Sequence, residues 1–236
     1  MVDPISLRDR FEHLTTAHIA DGCIRAGVEV RCAPPHLKAL VPDMRLAGRV
    51  APARHAGSVD VFLEAFERAE PGDVLVVDDG GREDESCVGD LIALEAQGAG
   101  FEGIVIWGLH RDTADIRAIG LPVFSLGSIP TGPVRVLERS PASVSPAQVG
   151  EWAVDENDLV FGDEDGVLFV PDAAAEEVLG FAETIRDTER RQAQRIREGV
   201  SLRDQVRLRD YLDRRRDDPS LTFRKHLRDV GGAVEV

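Results

Sequence analysis

The apolar positions of this chain change period several times, and each change marks an element. Asp73-Val74-Leu75-Val76-Val77 and Gly103-Ile104-Val105-Ile106-Trp107 are short continuous apolar runs. Runs of that length predict strands buried on both faces. Between them, residues 88–96 carry apolar side chains at 88, 91, 92, 94 and 96, a usable helix face that Gly98 and Gly100 end. Residues 113–119 predict a second short helix with Gly120 as its stop, and Pro122-Val123-Phe124-Ser125-Leu126 predicts a third strand. The succession β-α-β-α-β makes a parallel sheet with right-handed crossovers the economical fold.

The flanks are less regular. Residues 5–14 predict a helix, and a second begins near Ala17. Pro34-Pro35 breaks the chain before a strand-like zone at 37–50. Residues 61–68 have helical spacing, and Pro71-Gly72 turns the chain into the first buried run. Leu159-Val160-Phe161 and Val167-Leu168-Phe169-Val170 flank a glycine-containing turn, the pattern of a β-hairpin. Pro171-Asp172 then opens a long helix to about 198, with Asp172 as its N-cap and Gly199 behind it. The rest is charged with few apolar anchors, and reads either as an arm on another subunit or as a frayed tail. The expected organisation is one α/β domain over residues 1–199 and a C-terminal extension over 200–236.

At 236 residues the chain can bury one sizeable core. Its 28 basic against 43 acidic residues leave a net charge of -15, which argues against nucleic acid as a general partner. A solvated acidic surface is the simpler reading of that excess. Cys23, Cys32 and Cys87 have no CxxC or other zinc spacing, which points to a reduced, cytoplasmic compartment. The opening Met1-Val2-Asp3-Pro4 lacks the basic and apolar regions of a signal peptide. No apolar run approaches the ~20 residues that span a bilayer, so no membrane partner is expected.

Two segments carry the candidate chemistry: Gly89-Asp90-Leu91-Ile92 and Gly108-Leu109-His110-Arg111-Asp112. In a parallel sheet both fall at carboxyl ends of neighbouring strands, where α/β folds bind ligands. Asp112 is either an oxygen ligand for a hard divalent cation or the N-cap of the helix at 113. Arg111 is either a planar fork for a carboxylate or one end of a surface ion pair. Free amides at Leu91 and Ile92, with the helix dipole, make an anion site. Asp90 would repel a naked anion, so a nearby cation makes that site coherent; otherwise Asp90 is a cap acid. His110 is placed for substrate contact or proton transfer. Glu189, among Arg186, Arg190 and Arg191, reads as an exposed ion-pairing residue. His13, His18 and His110 form no metal-binding pair, Asp163-Glu164-Asp165 reads as turn chemistry, and Cys87 as a small buried hydrophobe. Asp79-Gly80-Gly81-Arg82 is a glycine turn followed by acids, which would repel phosphate, and no dinucleotide, P-loop or nucleophile-elbow motif is present.

The order of Pro71-Gly72-Asp73-Val74-Leu75-Val76-Val77-Asp78, Gly89-Asp90, Gly103-Ile104-Val105, Gly108-x-x-Arg111-Asp112 and Pro122-Val123-Phe124 resembles the regulator of ribonuclease activity A family. That family includes the 4-hydroxy-4-methyl-2-oxoglutarate and 4-carboxy-4-hydroxy-2-oxoadipate aldolases. The resemblance implies a swivelling α/β/β domain assembled as trimers or hexamers, with sites between subunits. It implies that Asp112 ligates Mg²⁺ or Mn²⁺ and that Arg111 binds the pyruvyl moiety. It also implies that Asp90 orients metal-bound waters and that the amides after Gly89, at Leu91 and Ile92, meet the carboxylate. A glutamate of a neighbouring subunit's C-terminal helix completes the set, and Glu189 is its best match. Trp107, Leu109 and His110 stand where the aldolases carry small or aliphatic residues.

The expected activity is therefore a metal-dependent carbon–carbon lyase. It would cleave 4-hydroxy-2-oxo acids to pyruvate, with oxaloacetate decarboxylation as a side activity. A non-catalytic ribonuclease-regulator-like protein and a different metal enzyme on the same scaffold are the alternatives, because one fold hosts several functions.

Overall fold

The computed structural model describes residues 4–140 and 142–230. The expectation about the opening residues, and the last six residues of the extension, lie outside that range. Helices α1 (Pro4–Glu12) and α2 (Thr16–Ala26) lead into two short strands, β1 (Arg31–Cys32) and β2 (Lys38–Ala39), and the long β3 (Leu46–Arg54). The centre is α3 (Asp60–Arg68), β4 (Val74–Asp78), β5 (Ser86–Val88), α4 (Asp90–Gly98), β6 (Gly103–Trp107), β7 (Leu109–His110), α5 (Thr113–Ile119) and β8 (Val123–Ser125). Strands β9 (Ala147–Val149), β10 (Trp152–Val154), β11 (Asp158–Asp163) and β12 (Gly166–Pro171) follow. The chain then enters α6 (Ala175–Arg197) and three short helices, α7 (Leu202–Gln205), α8 (Leu208–Asp217) and α9 (Phe223–Asp229).

The main sheet is mixed, in the order β1-β12-β11-β3-β4-β6-β8-β2. In its centre β4, β6 and β8 are parallel, as the β-α-β-α-β pattern predicts, β3 adds a further parallel strand beside β4, and antiparallel strands close both sides. Alternation along each strand sorts the core into two layers. Leu75, Val77, Ile104, Ile106 and Val123 face α3, α4 and α5. Val74, Val76, Val105 and Phe124 face the opposite layer, with Trp107 packed at its margin. This double burial is why β4 and β6 have no polar face to show in the sequence. A third layer joins α1, α2 and the first half of α6 to β11 and β12. Buried Ala175, Val178, Leu179, Ala182 and Ile185 follow helical spacing, and α6 has no buried residue beyond Ile185.

Three local expectations are corrected and a fourth is extended. The strand-like zone at 37–50 splits into edge strand β2, a turn and β3, which runs on through Pro52 to Arg54. The helix expected from 88 begins at Asp90, because Ser86–Val88 pairs with β7 instead. Asp172 does not cap the long helix: it opens a 3-10 turn and meets Arg49 Nη1 at 3.4 Å, while α6 starts three residues later. Asp163 makes the expected turn bond, accepting from the Asp165 amide, and is also buried, accepting from the backbone and hydroxyl of Thr16 at the start of α2. The β9–β10 hairpin had no clear signal in its short, mixed sequence. Among the described residues, no helix is long and apolar enough to cross a membrane.

Candidate functional site

Register sets the position of the site. Arg54, Asp78 and Trp107 are level with one another at the carboxyl ends of β3, β4 and β6. Just beyond them, β5 and β7 form a small parallel pair, and each runs directly into a helix start. Val88 leads into Gly89 and α4; His110 leads into Arg111, Asp112 and α5. The Arg111 amide donates to Val88 O at 2.9 Å, so the backbone itself holds the two segments side by side.

Asp112 does not take its capping role. It has φ 57° and ψ 37°, the left-handed region, and its side chain makes no capping bond to α5. A non-glycine residue there costs on the order of 1 kcal/mol, least for Asp and Asn. What that conformation achieves is direction: the carboxylate turns away from its own helix and onto Gly89. A Cβ on Gly89 would stand 2.5 Å from Asp112 Oδ2 and 3.4 Å from Arg111 Nε. Only glycine permits this approach, and Gly89 in turn offers no side chain to cap α4. The first amides of α4, at Leu91 and Ile92, thus open beside a carboxylate and a guanidinium, which lie 3.4 Å apart and are both partly exposed. Asp90 is the first residue of that helix and half-buried.

The other expected residues fall elsewhere. His110 is buried, its Nδ1 at 2.8 Å from Ser125 Oγ and its Nε2 at 3.0 Å from Thr113 Oγ1. Both ring nitrogens are engaged, burial pushes the imidazole pKa down, and the ring props the segment from behind. Trp107 lies in the opposite layer from α4, over Gly81 and 5.9 Å from the His36 ring. Glu189 sits on the outer half of α6, where its Oε2 is 3.1 Å from His18 Nε2 on α2. Within one chain it does not join the Gly89–Asp112 pair.

A buried polar cluster lies beneath this site, in the stretch expected as a glycine turn followed by acids. His55 Nδ1 is 2.8 Å from Asp79 Oδ1, which also accepts from Arg82 Nη2 at 2.6 Å. Arg82 Nη1 is 2.8 Å from the fully buried Glu85. His55, Asp79 and Cys87 offer ligand atoms within 4.8 Å of one another. That trio suits a cation poorly: Asp79 Oδ1 already meets both the His55 ring and the Arg82 guanidinium, whose positive charge would lie beside the ion. Asp112 suits one better. Its carboxylate is partly exposed and free of capping duty, and a hydrated hard cation needs only one or two such ligands.

Residues 16–169 match the family model described as RraA-like, Aldolase/RraA. The chain belongs to the RraA-like family. A relative from Shewanella oneidensis, named "Putative 4-hydroxy-4-methyl-2-oxoglutarate aldolase", is 36% identical over 119 residues, or 50% of this chain and 68% of that protein. An uncharacterized Pseudomonas syringae protein shares the fold with TM-score 0.72 and 27% identity, over 82% of this RraA-like chain and 93% of that one. Streptomyces coelicolor RraAS2, described as an unusual member of the RNase ES inhibitor RraA protein family, matches with TM-score 0.68 and 26% identity, over 77% and 92%. Those names include both an aldolase and an inhibitor, so family membership does not choose between chemistry and binding.

Proposed function

We propose that this RraA-like chain is a divalent-metal-dependent lyase that releases pyruvate from 4-hydroxy-2-oxo acids, with oxaloacetate decarboxylation as a side activity. One observation carries the reading: a strained, uncapped Asp112 carboxylate seated on Gly89 beside Arg111 and an open helix start. A protein that only bound a partner would have no need to keep that carboxylate off its helix.

Asp112 would hold Mg²⁺ or Mn²⁺, and the bound cation supplies Lewis acidity and a more acidic water. Arg111 grips the substrate's 2-oxo acid end through its two-point fork and meets the negative charge that develops there as the C3–C4 bond breaks. The Leu91 and Ile92 amides orient the same carboxylate. Asp90 orients water at the helix start, accepts the proton that leaves the C4 hydroxyl by way of that water, and returns one proton to C3 to give pyruvate once the C3–C4 bond has broken. Glu189 of a neighbouring copy completes the arrangement in a trimer or hexamer. Two features support that assembly: Glu189 is remote from the pair within its own chain, and Leu91 and Leu94 are exposed on α4.

The test is pyruvate release from oxaloacetate and from a panel of 4-hydroxy-2-oxo diacids, with Mg²⁺, with Mn²⁺ and after chelation. Asp112→Asn should abolish it while the far-ultraviolet circular dichroism stays unchanged, since Asn tolerates the left-handed backbone as well as Asp does. Wild-type rates in that variant would remove Asp112 from the chemistry. No release from any acid would leave the two alternatives in its place, a ribonuclease-regulator-like protein or a different metal enzyme on the same scaffold.

A further inference from the structure

The segment after β8, residues 128–137, crosses the site without regular structure. Its ends are tied by the Ile129 amide donating to His110 O at 3.0 Å and the Leu137 amide donating to Ala56 O at 2.8 Å, and its middle is tied at two points to the start of β5. Thr131 O accepts from the Ser86 amide at 3.0 Å and from Ser86 Oγ at 2.7 Å. The Val134 amide donates to Glu85 Oε2 at 2.8 Å. Between these two tethers lies Gly132, and a Cβ there would stand 2.5 Å from Arg111 Nη1. The segment therefore presses bare backbone against the guanidinium and forms one wall around it.

Glu85 is an unusual anchor. Its side chain is fully buried, yet its neighbours Glu83 and Asp84 are exposed. A buried carboxylate is costly unless it is paired and bonded. Glu85 meets Arg82 Nη1 at 2.8 Å and Arg135 Nη2 at 3.5 Å, and Arg82 is itself held by Asp79. The chain thus spends two guanidinium groups to keep one acid beneath the Val134 amide. We propose that Glu85 is a positioning residue for Arg111: it holds segment 128–137 in place, and that segment holds the guanidinium in the orientation that grips a 2-oxo acid. This inference rests on the reading of Arg111 given above.

Three variants of the full chain test it. Glu85→Gln keeps an acceptor for Val134 and loses the charge; Glu85→Ala loses both. Gly132→Ala leaves the buried cluster intact and displaces the guanidinium directly. Hydrogen exchange of residues 131–137 should quicken at least about tenfold in Glu85→Ala and less in Glu85→Gln. For oxaloacetate with Mg²⁺, KM should rise about tenfold in Glu85→Ala and Gly132→Ala and kcat should fall with it, and Glu85→Gln should recover part of both losses. A purely structural role would lower the folded fraction and kcat without moving KM. Unchanged exchange in a folded Glu85→Ala overturns the tether. A loosened segment with unchanged KM, or a normal KM in Gly132→Ala, overturns its link to Arg111. Wild-type protein that neither binds nor turns over any 2-oxo acid overturns the function proposed above, and the exchange measurement then decides the tether alone.

Discussion

Gly89→Ala isolates the contact on which the site depends. Gly89 has φ -126° and ψ -170°, extended backbone that alanine adopts without strain. The added methyl would meet Asp112 Oδ2 at 2.5 Å, and real Cβ contacts do not fall below 3.0 Å. The carboxylate, or the Arg111 side chain behind it, must therefore retreat by about 0.5 Å or more. A misplacement of about 1 Å at a reacting centre costs on the order of 100-fold in rate, so a fall of roughly 10- to 100-fold in kcat is expected. Stability should hardly change. Alanine is the poorer N-cap by roughly 0.5–1 kcal/mol, and a less flexible unfolded chain returns a similar amount. The assay is metal-dependent pyruvate release from oxaloacetate, with a Mg²⁺ titration and a thermal melt on the same sample. Gly98→Ala, at the far end of the same helix with nothing within 4 Å of its Cβ, is the control. It should keep full activity and gain roughly 0.5–1 kcal/mol of stability. A fully active Gly89→Ala would refute the reasoning, and an equal loss in Gly98→Ala would assign the effect to the helix rather than to Asp112.

Asp73 offers a pH test away from the site. Burial raises its pKa above 3.8, despite the bond its carboxylate accepts from the Glu70 amide. A raised carboxyl favours the folded state fully below its unfolded pKa and loses that benefit as pH rises through the folded value. Asp73→Asn should therefore melt higher than wild type near pH 7, with the difference vanishing as pH falls toward 3.8; a constant difference across that range would show that ionisation is not its cause. Glu189→Ala should lose most of the pyruvate-releasing rate without change in mass by light scattering. An unchanged kcat would assign its part to another acid, and restored activity on mixing Glu189→Ala with Asp112→Asn subunits would place the two residues in different copies.

The ordering of β4-β6-β8 was legible because strands covered on both faces need unbroken apolar runs, whereas β3, with Arg49 and Pro52 within it, had no such run to place it. The juxtaposition of Gly89-Asp90 with Arg111-Asp112 was legible for the same reason: strand ends determine where the next residues emerge. The chain by itself left Asp112 balanced between cap and ligand, because both roles need the same residue at the same place. Only the tertiary structure shows that the cap is not made, with the carboxylate turned onto the bare Gly89. His110 could not be placed from sequence either, since its burial depends on Ser125, a residue of another strand. Glu85 shows the limit most clearly. Glu83, Asp84 and Glu85 are three consecutive acids after a glycine turn, and nothing local distinguishes them. One is buried because the chain returns 49 residues later to lay the Val134 amide on it, and long-range partners of that kind decide where a charge can leave water.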